Sequence, residues 1–204
     1  MPIESTAMPI VRSQMPKIRT YIKQYEAIIR FVIAMLAANY FWKLCLPGDE
    51  VSYQPAIILG MDMTWYIHWI CDHVADQVVA LLRLWGEAVV QTNGNRFCIV
   101  GEERGIYIVW GCSGLKQAFI WTVIMLTTPG KWQHKLWFIP LGWLCAYAFN
   151  IFRIAMIAVL TKGHPEYFEF LHGYVFKYMF YGMISLLWWI FYVKFSDDPF
   201  GEKA

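Results

Sequence analysis

Between Leu136 and Leu160 the chain carries one charged side chain, Arg153, in 25 residues. A run that long exceeds the roughly 20 residues needed to cross a ~30 Å hydrocarbon core. Backbone groups in lipid must find their partners within the segment, so a single run of this kind has to be an α-helix. Pro140, Asn150 and Arg153 are the only interruptions. Further apolar runs occupy 26–46, Leu115 to Thr128 and Gly173 to Phe195. The run from Leu115 is short and closes on Pro129-Gly130; it reaches span length only if Cys112 to Gly114 already form its first turn. The prediction is an all-α polytopic membrane bundle with about four main spans.

Composition agrees. Apolar residues make up 58% of the 204 and charged residues only 16%, where soluble domains carry about a quarter charged. Aromatic residues reach 18%, as expected where rings sit at membrane–water boundaries. The net charge of +2 by itself says nothing about nucleic acid, but no basic stripe with interleaved aromatics is present, so no nucleic-acid partner is expected and the lipid bilayer is the expected surrounding. The basic residues fall where topology needs them: Arg12, Lys17, Arg19, Lys23 and Arg30 before or at the first span, Lys131, His134 and Lys135 between the second and third, and Lys194 at the last. Basic flanks stay in the cytoplasm, which predicts both termini inside and the loop from Thr161 outside. No small-residue cleavage site follows the first span, so it reads as a signal anchor.

The organisation expected is a basic cytoplasmic N-terminus at 1–25, a first span at 26–46, an outer-face segment at 47–111, a three-span membrane core at 112–195 and a cytoplasmic tail at 196–204. Within the outer-face segment Asp62, His68, Asp72, His73, Asp76, Arg83 and Glu87 recur among apolar residues. That pattern predicts one or two amphipathic helices between Met63 and Val90, lying on the outer surface or across the mouth of the bundle. An irregular second span is the alternative. Two β-like runs, Arg96 to Val100 and Gly105 to Trp110, flank the turn 101–104 and predict a short β-hairpin.

This topology brings three reactive side chains to one depth. Cys112 opens the second span from outside and His172 stands at the outer mouth of the fourth. Arg153 lies 17 residues beyond Leu136, about 25 Å along a helix and hence near the outer end of the third. Gly111 and Gly114 strip side chains from around Cys112, which permits close approach by a peptide. A helix start and Lys116 one turn further favour its thiolate. Arg153 offers a fixed donor fork for an oxyanion, with Asn150 on the same helical face to orient it. His172 is preferred over His164 because it abuts a span, whereas His164 precedes a proline in a freer segment. Cys45, Cys71, Cys98 and Cys145 lack such a setting and read as packing residues. No CxxC or HExxH spacing is present, and the chemistry so read uses no metal and no organic cofactor.

The motifs Gly111-Cys112-Ser113-Gly114, Phe149-Asn150-Ile151-Phe152-Arg153-Ile154 and Leu171-His172-Gly173-Tyr174 resemble, in order and placement, those of the exosortase/archaeosortase family of membrane cysteine transpeptidases. Many members have more spans, so the chain resembles a compact form. The resemblance implies cleavage of a C-terminal sorting signal through a thioester, followed by transfer to an acceptor. Cys112 would be the nucleophile, His172 the acid–base group and Arg153 the oxyanion stabiliser, supported by Ser113, Gly114, Lys116 and Asn150. Substrates would be membrane proteins ending in a motif, a span and a basic tail, and the acceptor an amine. The location implied is the inner membrane, with the active site on its extracytoplasmic face. The competing reading, a non-catalytic scaffold or transporter subunit, calls for inward charges near the midplane of several spans; only Arg153 lies deep in an apolar run. A haem-binding subunit needs paired histidines within spans, and the five histidines fall outside the spans so drawn.

Overall fold

A computed structural model describes residues 8–45, 57–58, 60–102 and 104–196. Expectations for residues 1–7, 46–56 and 197–204, which include most of the cytoplasmic tail, lie outside the described residues. Helix α1 runs from Met8 to Cys45, so the basic arm from residue 8 onward continues the helix of the first span. Among the described residues, three helical stretches are long and apolar enough to cross a membrane: Tyr25–Cys45, Trp132–Leu160 and Tyr167–Phe195. The fourth expected span is the shorter helix α3, Leu115–Thr127, at ~1.5 Å per residue only about 20 Å long. Gly114, at φ 88°, separates it from a 3₁₀ turn at Trp110–Cys112, so those residues do not extend it.

Helix α4 is Trp132–Leu160. The last apolar stretch comprises a helical turn α5 (Tyr167–Phe170), a π turn (Leu171–Val175) and α6 (Phe176–Phe195). The expected start at Gly173 is therefore six residues late, and His172 lies inside the helical stretch rather than in the loop before it. Glu166 and Glu169 made this segment look like loop, but it is the solvent-facing start of a helix. Lys135 also departs from its expected place in a basic loop. It is buried in the first turn of α4, where its Nζ donates to the Leu126 carbonyl at 3.4 Å, complementing the C-terminal dipole of α3.

Two hydrophobic cores are stacked along α4. The first joins Phe31, Ala34 and Ala38 of α1, Trp121 and Ile124 of α3, Phe138 and Ala146 of α4, and Ile184, Trp188 and Phe191 of α6. Outward-facing side chains of this bundle are apolar as well: Leu36 is 57% exposed, Leu144 64% and Leu186 60%. Such surface is unfavourable in water and appropriate against lipid tails. At one end of the bundle Gly130 packs against the Phe195 carbonyl, the rings of His134 and Phe195 stand 4.7 Å apart, and Phe31 meets Trp188 at 4.5 Å.

The second core caps the opposite end. Helix α2, Thr64–Leu84, buries Ile67, Cys71, Val74, Ala75, Val78 and Leu82 on one stripe, while His68, His73, Asp76 and Arg83 face outward. It is the amphipathic element expected, but it stops at Leu84 rather than Val90. A short antiparallel pair, β1 (Ile57–Ile58) and β2 (Met61–Asp62), precedes α2, and after α2 Gly86, at φ 89°, turns the chain toward the next strand. A small sheet covers the stripe: β3 (Val89–Asn93), β4 (Arg96–Ile99) and β5 (Ile106–Tyr107), in antiparallel order β3-β4-β5. The β4–β5 pair is the hairpin expected, shortened because residues from Trp110 enter the 3₁₀ turn. Phe97 and Ile99 of the sheet, the α2 stripe, and Ile154, Ala155 and Ala158 of α4 complete this core. Helix α4 thus passes from the bundle core at Ala146 to the cap core at Ile154, and Asn150 and Arg153 occupy the crossover.

Candidate active site

At this crossover the 3₁₀ turn Trp110–Cys112 packs against α2 and α3. Ser113 closes the turn: its Oγ donates to the Trp110 carbonyl at 2.6 Å and accepts the Leu115 N–H at 3.3 Å. That second bond satisfies one of the orphan donors at the start of α3. Gly114 follows in the left-handed region, where a side chain would be strained. A Cβ there would stand 3.7 Å from the Asn150 Nδ2. Ser113 and Gly114 therefore shape the turn that presents Cys112. Lys116, half-buried, occupies the first turn of α3.

Asn150 is 2% exposed, and its Nδ2 donates to the Cys112 carbonyl at 2.7 Å. The amide thus holds the backbone of the cysteine turn, a different job from the orienting of Arg153 expected of it. Cys112 is half-buried, and its Sγ lies 3.6 Å from the Nε2 of His172, the pair that sequence placed at one depth from two distant elements. The imidazole stacks on Phe168 one turn earlier, with centroids 5.3 Å apart and planes 8° apart. A π turn bears His172, a feature common at functional sites because it re-aims side chains within a helix.

Arg153 reaches the same place from α4. Its Nη2 donates to the His172 carbonyl at 3.4 Å, while its Nε is buried with no hydrogen-bond partner. Among the described residues, a guanidinium with five donors is thereby held beside the pair by one long bond. His164 lies elsewhere: its Nδ1 is 3.0 Å from Glu166 Oε1 and both side chains are exposed.

The other cysteines have different settings. All five are free. Cys71 is 2% exposed in the cap core, and burial pushes its thiol up to about 12, with Cys112 and Asp72 adding to the effect. Cys98 donates to the carbonyls of Ile99 and Glu102 at 3.4 and 3.2 Å. Phe168 was not singled out from sequence; its only signal there is the spacing of four residues that stacks one helical side chain on another.

The arrangement can generate a thiolate, protonate a leaving group and stabilise an oxyanion. A family model described as transmembrane exosortase (Exosortase_EpsH) matches residues 52–190, a range that includes Cys112, Asn150, Arg153 and His172. No curated protein and no solved structure gives a significant match.

Proposed function

This chain belongs to the transmembrane exosortase family, and from that premise we propose that it is a membrane cysteine transpeptidase working through Cys112, His172 and Arg153. The observation that carries this reading is the 3.6 Å approach of Cys112 Sγ to His172 Nε2. His172 takes the thiol proton, and the thiolate attacks the carbonyl carbon of a peptide bond in a membrane-anchored substrate. The developing oxyanion draws on the uncommitted donors of Arg153, where a charged donor in a half-dry site counts for more than in water. His172 then protonates the leaving amine as the C–N bond breaks, giving an acyl thioester on Cys112. An amine acceptor or water resolves the thioester and returns the thiolate.

Substrates on this reading are membrane proteins with a C-terminal motif, a span and a basic tail. The span lies alongside the apolar bundle, which puts the motif level with the crossover. The site faces the extracytoplasmic side of the inner membrane, because the opposite end of the bundle gathers Arg30, Lys131 and Lys194. The test is co-expression of an epitope-tagged substrate of that architecture with the wild type or Cys112→Ala. Loss of the processed form in the variant is expected. Processing that survives Cys112→Ala ends the reading.

A further inference from the structure

Behind Phe168, the ring that stacks on His172, lies a cavity of about 680 Å³ between the cap sheet and the neighbouring ends of α4 and α5. That volume falls within the range of small-molecule sites. One wall is Gly101, Glu102 and Arg104 from the cap; the other includes Lys162, Phe168 and Glu169. Two of the four charges are committed. Lys162 Nζ pairs with Glu87 Oε2 at 2.9 Å, and Glu102 Oε1 accepts the Gly163 N–H at 3.1 Å. Those contacts tie the α4–α5 loop to the cap and frame the opening. Arg104 and Glu169, on opposite walls, form no ion pair or side-chain hydrogen bond with another described residue, and both are exposed. Among the described residues the cavity lining therefore offers a cation, Arg104, and a carboxylate, Glu169, that are not ion-paired.

Its position is informative. Phe168 lines the cavity and stacks on His172, whose Nε2 faces the Cys112 sulfur. Glu169 precedes His172 by three residues on the same helical stretch, so its carboxylate stands about one turn from the base. We propose that this cavity is the acceptor subsite, and that the acceptor is a primary amine that also carries an anionic group, as a peptide N-terminal segment with a carboxylate does. The proposal rests on the thioester reading above and adds the place and chemistry of the second substrate. Glu169 holds the ammonium end near the imidazole and Arg104 holds the anion. The ammonium gives up one proton to water before attack. As its nitrogen lone pair forms the C–N bond, a second proton passes to His172. The C–S bond breaks with its electron pair on sulfur, regenerating the thiolate.

The test uses the full chain in detergent micelles, with p-nitrophenyl acetate as acyl donor. Attack by Cys112 forms the acetyl thioester and releases p-nitrophenolate, a burst that Cys112→Ala abolishes. Triglycine and triglycinamide are the acceptor probes, and the yields of acetylated peptide and of acetate are read by mass spectrometry. The wild type should transfer to triglycine about tenfold better than to its amide, the size expected for one charged hydrogen bond. Arg104→Gln should erase that preference. Glu169→Gln should raise the triglycine concentration for half-maximal transfer about tenfold, with the burst unchanged in both variants; an unchanged burst also shows that they are folded. Transfer that is unaltered in both variants overturns the proposal. A burst slowed as much as transfer overturns it too, and makes the cavity a site for the acyl donor. A wild type with no burst, or a burst that survives Cys112→Ala, removes the thioester reading itself.

Discussion

The side-chain amide of Asn150 donates to the carbonyl of Cys112 at 2.7 Å, so α4, a helix long enough to cross a membrane, grips the turn that carries Cys112. Both groups lie where α4 leaves the bundle core for the cap core, and Asn150 is 2% exposed. Water is poorly placed to replace the bond. Losing it removes a hydrogen bond between a buried amide and a half-buried turn, which costs about 0.5–1.5 kcal/mol.

That relationship predicts a graded series. Asn150→Ala should lower thermal stability in detergent and slow alkylation of Cys112 by iodoacetamide. Asn150→Asp should be worse, because an ionised carboxylate faces the carbonyl with no proton to donate. Asn150→Gln, which keeps the donor, should recover part of the alkylation rate. If all three variants alkylate at the wild-type rate, the bond does not position the nucleophile.

The cysteines give a second prediction with a pH sign. Burial raises the Cys71 thiol to about 12, so it stays protonated through the range in which thiols normally react. At pH 8 only about one part in 10⁴ is thiolate, and the thiolate is the nucleophilic form. Mass-spectrometric mapping at pH 8 should find Cys112 alkylated well before Cys71, with Cys71 gaining reactivity only as pH climbs toward 12. Replacing Cys45, Cys71, Cys98 or Cys145 by Ala should leave substrate processing intact. Processing lost in Cys71→Ala at normal protein levels would give that residue a role beyond packing.

Packing in the bundle yields a third. A Cβ added at Gly142 would fall within the indole of Trp121, which is 1% exposed and whose Nε1 donates to the Ile139 carbonyl at 3.2 Å. A rigid buried ring cannot step aside cheaply, so Gly142→Ala should destabilise by about 1–3 kcal/mol or more, the usual cost of overpacking. Gly182, with nothing within 4 Å of its added Cβ, is the control. There Ala should be neutral or mildly stabilising, since helical Gly costs ~1 kcal/mol relative to Ala. Thermal unfolding in one detergent compares the two.

Much of this architecture was legible because hydrophobic run length is a local property. The apolar stretches, the amphipathic α2 and the hairpin of β4 and β5 all declare themselves within short windows of sequence. The coincidence of Cys112, Arg153 and His172 followed from counting residues along spans. What stayed hidden depends on partners distant in sequence. Strand β3 was masked because Val89 and Val90 prolong the apolar pattern of α2, and only the turn at Gly86 separates them. The carbonyl that Asn150 holds belongs to another element, so its neighbour Arg153 was the natural but different assignment. The π turn under His172 depends on a shift of backbone hydrogen bonds that no residue type specifies.

Topology gives a fourth prediction. In the structure Gly130 and Phe195 share one end of the bundle, while the α4–α5 loop is tied to the cap at the other through Lys162 and Glu87. If basic residues are retained inside, the cap end is expected to be external. In a variant otherwise free of accessible cysteines, Glu166→Cys should react with an impermeant maleimide in intact cells, and His134→Cys only after lysis. The reverse pattern would turn the site toward the cytoplasm.

Arg153 provides the sharpest test of mechanism, because its two roles predict opposite outcomes for one substitution. As an anchor it needs only a charge on a flexible stem, and lysine snorkels as well as arginine. As an oxyanion stabiliser it needs the planar fork, whose geometry lysine lacks. Among the described residues Nε is buried without a hydrogen-bond partner and Nη2 makes a long bond with the His172 carbonyl, so on the proposed mechanism these donors would serve a charge that arises during reaction. Loss of one such donor typically lowers the rate by about 10²–10³. Arg153→Lys should therefore show processing reduced on that scale at matched protein levels, with alkylation of Cys112 little changed, because the nucleophile itself is not held by the guanidinium. Near-normal turnover in Arg153→Lys would reduce Arg153 to a depth marker. Backbone amides after Cys112 would then be the groups to examine as the oxyanion hole.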